Sequence, residues 1–234
     1  MSSDESLSGN PERQAAKSIT SVFSPQSLVS LLLRPRAFFA DGGVLRDRKG
    51  ILIAAAMIGV TNTMDRIDQN LVKADLRHQD AANVDAFTSW VISSWLNYWG
   101  MALLLGMISA VITWYLRGWW YRKRLEWAGA TDVVPEDARC ISTLQDMVYV
   151  LPILAWTVAQ TLIYSNYQQA WASTDAAGML ILVFLFWSCW TSYCAATTVY
   201  TLNKNKARFW FLILPGVFYF LIMGVYTTLY AMLT

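Results

Sequence analysis

Chemistry at a protein site needs a nucleophile beside a base, a pair of carboxylates, or a set of metal ligands, and this chain is poor in all three. It has one histidine, His78, and three cysteines, Cys140, Cys189 and Cys194. The cysteine spacing matches no metal-ligand pattern, and an odd count with two members inside an apolar run sets up no disulfide framework. Small apolar packing residues are the plainer reading of all three. Asp146, beside Gln145, lies at the end of an apolar run near 147–165, and an ionisable group there marks a functional site by default. At the end of such a run it can also reach water or pair with a cation such as Arg139, which makes its role structural. An enzyme would have to rest on Asp146 or Cys189, with no catalytic partner, cofactor site or metal site evident; we read the chain as non-enzymatic.

The remaining polar residues that could meet a ligand are uncharged: Gln160, then Ser188, Thr191 and Ser192. Groups of this kind in apolar helices commonly hydrogen-bond to a neighbouring helix or to their own backbone. Pro152 and Pro215 each free a backbone carbonyl, either as a simple kink or as one of a pair of broken helices around a transport site. Asp146, Pro152, Gln160, Ser188, Thr191 and Ser192 therefore form one candidate polar site.

The elements that must carry these residues follow from composition. Of 234 residues, 56% are apolar, 14% aromatic and only 15% charged, where soluble domains carry roughly a quarter charged. About 20 mostly apolar residues cross the hydrocarbon core at 1.5 Å each. Five runs qualify, near 50–70, 88–116, 147–165, 178–202 and 209–233, which predicts an all-α transmembrane bundle over 50–234. The first run is the weakest, because Asp65 closes its apolar stretch early. DRIDQNLVKADLRHQD after it places Ile67, Leu71 and Ala74 at helical spacing and can prolong that helix. Ahead of the bundle, SPQSLVSLLLRPRAFF has Ser24 as an N-cap, Pro25 in the first turn and Pro35 as a stop. Leu28, Leu31, Leu32 and Pro35 share one face, with Ser27, Ser30 and Arg34 on the other. Too short to span, this segment is expected to lie on the inner leaflet as an amphipathic helix within 24–49. Residues 1–23 read as a disordered tail. They hold no secretory signal, so insertion is expected to use the first span.

Charge sets the orientation. With the N-terminus inside, residues 1–49, 117–146 and 203–208 hold seven, five and three basic residues, fifteen of the 18 Lys and Arg. Only Arg66, Lys73 and Arg77 fall outside, beside the acidic set Asp65, Asp68, Asp75, Asp80, Asp85 and Asp175, as the positive-inside rule requires. His78 sits in that outer loop as a solvated side chain. The expected location is a bacterial inner membrane, with the C-terminus outside.

YLRGWWYRKRLEW marks where the second span leaves the bilayer. Trp99 and Trp119 are twenty residues apart, about 30 Å on a helix and the thickness of the hydrocarbon core. Trp119, Trp120 and Trp127 form an interfacial belt, and Arg117, Arg122, Lys123 and Arg124 anchor it among lipid headgroups. A headgroup pocket is the sharper form of the same reading. A nucleic-acid surface is not expected, because one short loop supplies all of this charge. Small residues recur at four-residue spacing, Ala55 and Gly59 in the first span and Ala102, Gly106 and Ala110 in the second. They let helix backbones approach closely, within the chain or against another membrane protein.

The segment LLLRPRAFF, five spans and the tight basic turn TLNKNKAR resemble the Yip1-domain family of polytopic membrane proteins, in particular its bacterial members, from about Leu28 onward. The likeness rests on Pro35 with Phe38 and Phe39, then Trp187 to Tyr200 leading to Lys204, Lys206, Ala207 and Pro215. It implies a non-enzymatic bundle that binds other membrane proteins. Some bacterial members accompany export systems such as ABC-type transporters, while eukaryotic ones assist vesicle traffic and contact small GTPases. The Asp-Leu-Tyr-Gly-Pro stretch of the eukaryotic branch is absent, so GTPase binding is not carried over. The expected function is an accessory subunit packed against a transport or export complex. The alternative is a small transporter or lipid-handling protein with a polar site between spans three, four and five.

Overall fold

A computed structural model of the chain describes residues 21–76, 85–173 and 177–233. Most of the expected tail, His78, Asp80 and Asp175 lie outside the described residues. Among the described residues every regular element is helical and there is no strand.

The local signals work as physical chemistry dictates. Helix α1, Pro25–Leu33, opens on Ser24, whose Oγ accepts from the Ser27 N–H at 3.2 Å, satisfying one of the orphan donors of the first turn. It stops at Arg34, and Pro35 starts α2, Pro35–Ala40, because proline is excluded from a helix interior but suits its first position. Helix α3, Arg48–Leu76, is capped by Asp47, which accepts from Gly50 N at 3.0 Å and from Val22 N at 2.9 Å. The Gly50 N–H, with the other donors, holds the Asp47 carboxyl below its ordinary value of 3.8. A folded value lower than the unfolded one gives stabilisation that is complete above that ordinary value and is lost as pH falls through the folded value. We expect Asp47→Ala to cost about 1 kcal/mol, read as a lower Tm at neutral pH. The difference from the parent protein should shrink on acidification toward pH 3.

Helix α4, Ala86–Ile92, is capped by Asp85 through Thr88 N at 2.9 Å. The expected second span is therefore broken. Ser94 caps a new helix, α5, Trp95–Trp127, by accepting from Leu96 N at 3.2 Å. Helix α5 ends where Gly129 adopts φ +95°, the left-handed conformation that glycine takes without a Cβ penalty. Helix α6, Pro135–Ile163, starts well before the expected third span, with Pro135 at its first position and Glu136 and Asp137 in its first turn, where acidic groups meet the positive end of the helix dipole. A short α7, Tyr167–Ala172, leads to α8, Ala177–Val199. Asn203 caps α9, Lys204–Arg208. A π-helical turn, Phe209–Ile213, follows, in which the Leu214 N–H reaches the Phe209 carbonyl, and it runs into α10, Leu214–Leu233. Pro215 accounts for the wide turn, since it has no N–H to give to the preceding turn and its ring crowds the carbonyl four residues back.

Among the described residues, four stretches are long and apolar enough to cross a membrane: Trp95–Trp127, Pro135–Ile163, Leu182–Val199 and Lys204–Val225. Helix α3 has 29 residues but is not one of them; Asp65, Arg66, Asp68, Lys73 and Asp75 crowd its second half. It runs antiparallel to α5 along the small-residue seam, where Gly59, Gly106, Ala102 and Ala110 are buried. A Cβ at Gly59 would overlap the Gly106 carbonyl and the backbone of Ala110, and one at Gly106 would meet the Val60 backbone. Ala55, one turn away, is half-buried in a groove. This seam lies inside the chain. Gly59→Ala should push the two helices apart at a cost of about 1–3 kcal/mol, visible as a lower melting temperature in detergent. Gly100→Ala, a position where nothing lies within 4 Å of the added methyl, should leave that temperature unchanged.

Two ends of the bundle are defined by side chains. At one, Asn203 N donates to the Ala128 carbonyl at 3.2 Å, and Val22, Leu31, Phe38, Tyr121, Leu125 and Ala207 share one apolar core. At the other, Trp95 Nε1 donates to the Tyr164 carbonyl at 2.7 Å, Tyr167 donates to Asp68, and Trp171 Nε1 donates to Asp75 at 3.0 Å. Helix α1 packs on the bundle, with Ser27 and Leu31 buried and Trp187 Nε1 of α8 donating to the Leu32 carbonyl at 2.8 Å. Ser27, expected on the polar face, is buried because the Ser24 hydroxyl bonds its Oγ at 2.8 Å.

Candidate functional site

Helical spacing divides YLRGWWYRKRLEW into two faces. Arg117, Tyr121 and Arg124 recur at intervals of four and three, the inward face of α5; Trp119, Arg122 and Lys123 point away, while Trp120 and Trp127 meet at the edge of that face with ring centroids 5.5 Å apart. Arg122 Nε and Lys123 Nζ pair with Glu126 at 2.8 and 2.9 Å, an outward cluster of the kind that contributes little in water. Trp119 and Trp120 are exposed, while Trp127 lies against Trp210 with ring centroids 4.6 Å apart.

Arg117 turns inward and binds three helices together. Its Nη1 pairs with Asp146 and donates to Tyr149 Oη at 2.8 Å on α6, and its Nη2 donates to Asn62 Oδ1 at 3.3 Å on α3. The sequence offers water or a cation such as Arg139 as the partner of Asp146, and the structure supplies Arg117 instead of Arg139. That residue lies two turns earlier on the same helix, roughly 10 Å along the axis, and its guanidinium instead covers the Tyr115 ring at 4.8 Å. Arg124 lies 5.0 Å from the Tyr121 centroid and 4.9 Å from that of Phe211, and it meets Asp146 only at longer range, without a direct ion pair.

Together these residues enclose a cavity of about 510 Å³. Arg117 and Arg124 line it from α5. Ser142, Gln145, Asp146 and Tyr149 do so from α6, and Ser188, Cys189 and Ser192 from α8, each at the three- and four-residue spacing of one helix face. Its last wall is largely aromatic, with Trp210, Phe211, Phe218 and Tyr219 joined by Leu214 and Pro215 along the π turn and α10. Trp120 and Phe218 both line the cavity and are exposed, at 41% and 59%, so they mark a rim between α5 and α10. Within or beside it, Arg124 Nε, Gln145 Oε1, Thr191 Oγ1 and Ser192 Oγ are buried without a hydrogen-bond partner. The Cys189 thiol lies 3.7 Å from the Leu185 carbonyl of its own helix.

The six residues of the candidate polar site do not form one cluster. Asp146, Ser188 and Ser192 come together in this cavity, while Thr191 is fully buried next to it. Pro152 lines none of the three main cavities. Gln160 lies about 21 Å further along α6, in a second cavity of about 290 Å³ with Asp65, Asp68, Tyr98 and Tyr167 at the opposite end. Arg117, Arg124 and Tyr149 complete the inner site; the sequence reading had placed the two arginines on the outward anchor and had not singled out Tyr149. Among the described residues no three His, Cys, Asp or Glu are grouped as metal ligands.

Comparison with protein-family models, with curated proteins and with solved structures gives no match. The class of protein therefore rests on the chain itself: an all-helical, multi-pass membrane protein with a charged polar cavity at one end of its bundle.

Proposed function

We propose that this is a non-enzymatic, lipid-handling membrane protein that holds the polar end of an amphiphile in the cavity between α5, α6, α8 and α10. In this reading the bundle has five spans, with α3 crossing alongside α5, and α1 lies near the inner leaflet of a bacterial cytoplasmic membrane. One observation carries it: a cavity with charged and polar groups, some of them buried and unpaired, on one side and an apolar wall on the other is set among helices whose outer faces are apolar, and its exposed rim, Trp120 and Phe218, lies between two membrane-facing helices. Unpaired buried polar atoms cost free energy that a ligand recovers, and a lateral opening suits a molecule whose tails stay in the bilayer. Native mass spectrometry of protein extracted in mild detergent tests this. We expect roughly one retained lipid per protomer; protein that is stable and lipid-free after gentle extraction would remove the proposal.

A second reading, an accessory subunit packed against a transport or export complex as the Yip1-like architecture implies, has its own support. Helix α10 packs mainly on α8 and the π turn, leaving Val217, Phe220, Leu221 and Val225 exposed. That face suits a second membrane protein as well as lipid. Affinity capture at native expression, with a stable stoichiometric partner lost on Leu221→Trp, would favour it.

A further inference from the structure

We infer that the inner cavity selects a singly charged phosphate headgroup, with Arg124 as the anion-binding residue and the Arg117–Asp146 pair as neutral framing. This deepens the lipid-handling reading and rests on it.

Charge comes first. Arg117 and Asp146 cancel each other in direct contact, and Tyr149 and Asn62 occupy further donors of Arg117. Arg124 forms no direct ion pair among the described residues and meets the Asp146 charge only at longer range, and its Nε is buried without a hydrogen bond. An enclosed cation of this kind is costly unless an anion joins it. The cavity's net charge of about plus one sets the stoichiometry at one negative charge.

Geometry supplies the second step. Tyr121 and Phe211 approach Arg124 at 5.0 and 4.9 Å and lie 5.2 Å from each other, so both rings sit to one side of the guanidinium, which lines the cavity. Aromatic rings take no N–H of the guanidinium as hydrogen-bond acceptors do, so its N–H edge is left for a ligand, and that edge matches two oxygens of a phosphate. Gln145 Oε1 and Ser192 Oγ, also buried and unpaired, can accept from a hydroxyl on the same headgroup. A phosphoglycerol group offers both the single charge and the hydroxyls. The amphiphile's tails would leave between Trp120 and Phe218. Arg122, Lys123, Lys204 and Lys206, at the same end of the chain's fold, raise the local concentration of anionic lipid.

The test uses the full-length protein in a neutral detergent. It is titrated separately with short-chain phosphatidylglycerol, with phosphatidylcholine of the same chain length, and with inorganic phosphate, and bound species are read by native mass spectrometry. The parent protein should bind phosphatidylglycerol roughly ten- to a hundredfold more tightly than phosphatidylcholine, the range of one charge-assisted contact. Arg124→Gln should bring the two lipids level, whereas Arg124→Lys should keep much of the preference. Arg66→Gln, at an exposed side chain that bonds Gln69 at the opposite end of the bundle, should behave as the parent. Equal binding of both lipids by the parent would overturn the inference and leave the lipid-handling reading standing. No binding of either lipid would overturn both. Phosphate alone binding in an Arg124-dependent manner, without either lipid, would keep the anion assignment and remove the lipid source. If Arg124→Gln does not fold, the parent's comparison of the two lipids decides the matter.

Discussion

Arg117→Leu is expected to destabilise the protein by about 3 kcal/mol, the lower end of what breaking a buried ion pair costs. The lower end applies because the Arg117 side chain retains 39% exposure, while that of Asp146 retains 11%. The cost arises mainly from what is left behind. Asp146 would keep a carboxylate in the cavity wall with no cation in contact, and Tyr149 Oη and Asn62 Oδ1 would each lose the donor they now share. For a chain of this length 1 kcal/mol moves Tm by roughly 2–4 °C, so a fall of about 6–12 °C is expected in a detergent melt. The double variant Arg117→Leu with Asp146→Leu should recover a substantial part of that loss, because no buried charge is stranded. A double variant as unstable as the sum of the two single ones would show that the groups act independently, and the description of Arg117 as the tie between α3, α5 and α6 would fall. The same pair bears on ligand selectivity. Neutralising both members leaves the net charge of the cavity unchanged, so a preference for anionic lipid should survive in the double variant.

The helical architecture was legible because its signals are local. Ser24, Pro25 and Pro35 define α1 by capping and by proline geometry alone, and the four-residue rows of glycine and alanine anticipate where α3 and α5 touch. The site was legible only in part, for two physical reasons. First, a run of cations beside tryptophans reads as a single interfacial anchor when taken by composition. Only the angular position of each residue on the helix separates Arg117 and Arg124 from Arg122 and Lys123. The four-residue step from Arg117 to Tyr121 and the three-residue step to Arg124 were the available signal. Second, apolar runs understate helix length. Helix α6 begins at Pro135, so Asp146 sits three turns inside a helix and not at its end. Pro135 with Glu136 and Asp137 carried that start in a form an apolar window does not register. The break at Ser93 and Ser94 was hidden for the opposite reason, since apolar residues continue on both sides of it. Gln160 and Asp146 share a helix but face opposite ends of the bundle, a separation that polarity alone does not reveal.

A reporter active only outside the cytoplasm, fused after Thr234, should be active, and one fused at Asn205 should be silent. The expectation depends on α3 crossing the bilayer, which its composition leaves finely balanced. Two arguments favour the crossing. Helix α3 lies against α5 along the Gly59–Gly106 seam, its start tied to Val22 through Asp47 at the end that holds Ala128 and Asn203. Its far half meets Tyr167 and Trp171 at the other end, through Asp68 and Asp75. A helix that runs from one end to the other beside a neighbour long and apolar enough to cross is placed to cross with it. The second argument is charge. If α3 stayed on one side, the seven basic residues of the N-terminal segment would join Arg66, Lys73 and Arg77, leaving the basic residues almost evenly divided between the two faces, contrary to the bias that sets orientation. Moving the balance should therefore move the protein. Replacing Arg46, Arg48 and Lys49 together by Gln should weaken the retention of the N-terminal segment and produce a mixed population. Replacing Arg66 and Lys73 should leave the orientation intact. A silent reporter at Thr234 in the parent protein, with its N-terminus also in the cytoplasm, would mean an even number of crossings and would take α3 out of the membrane.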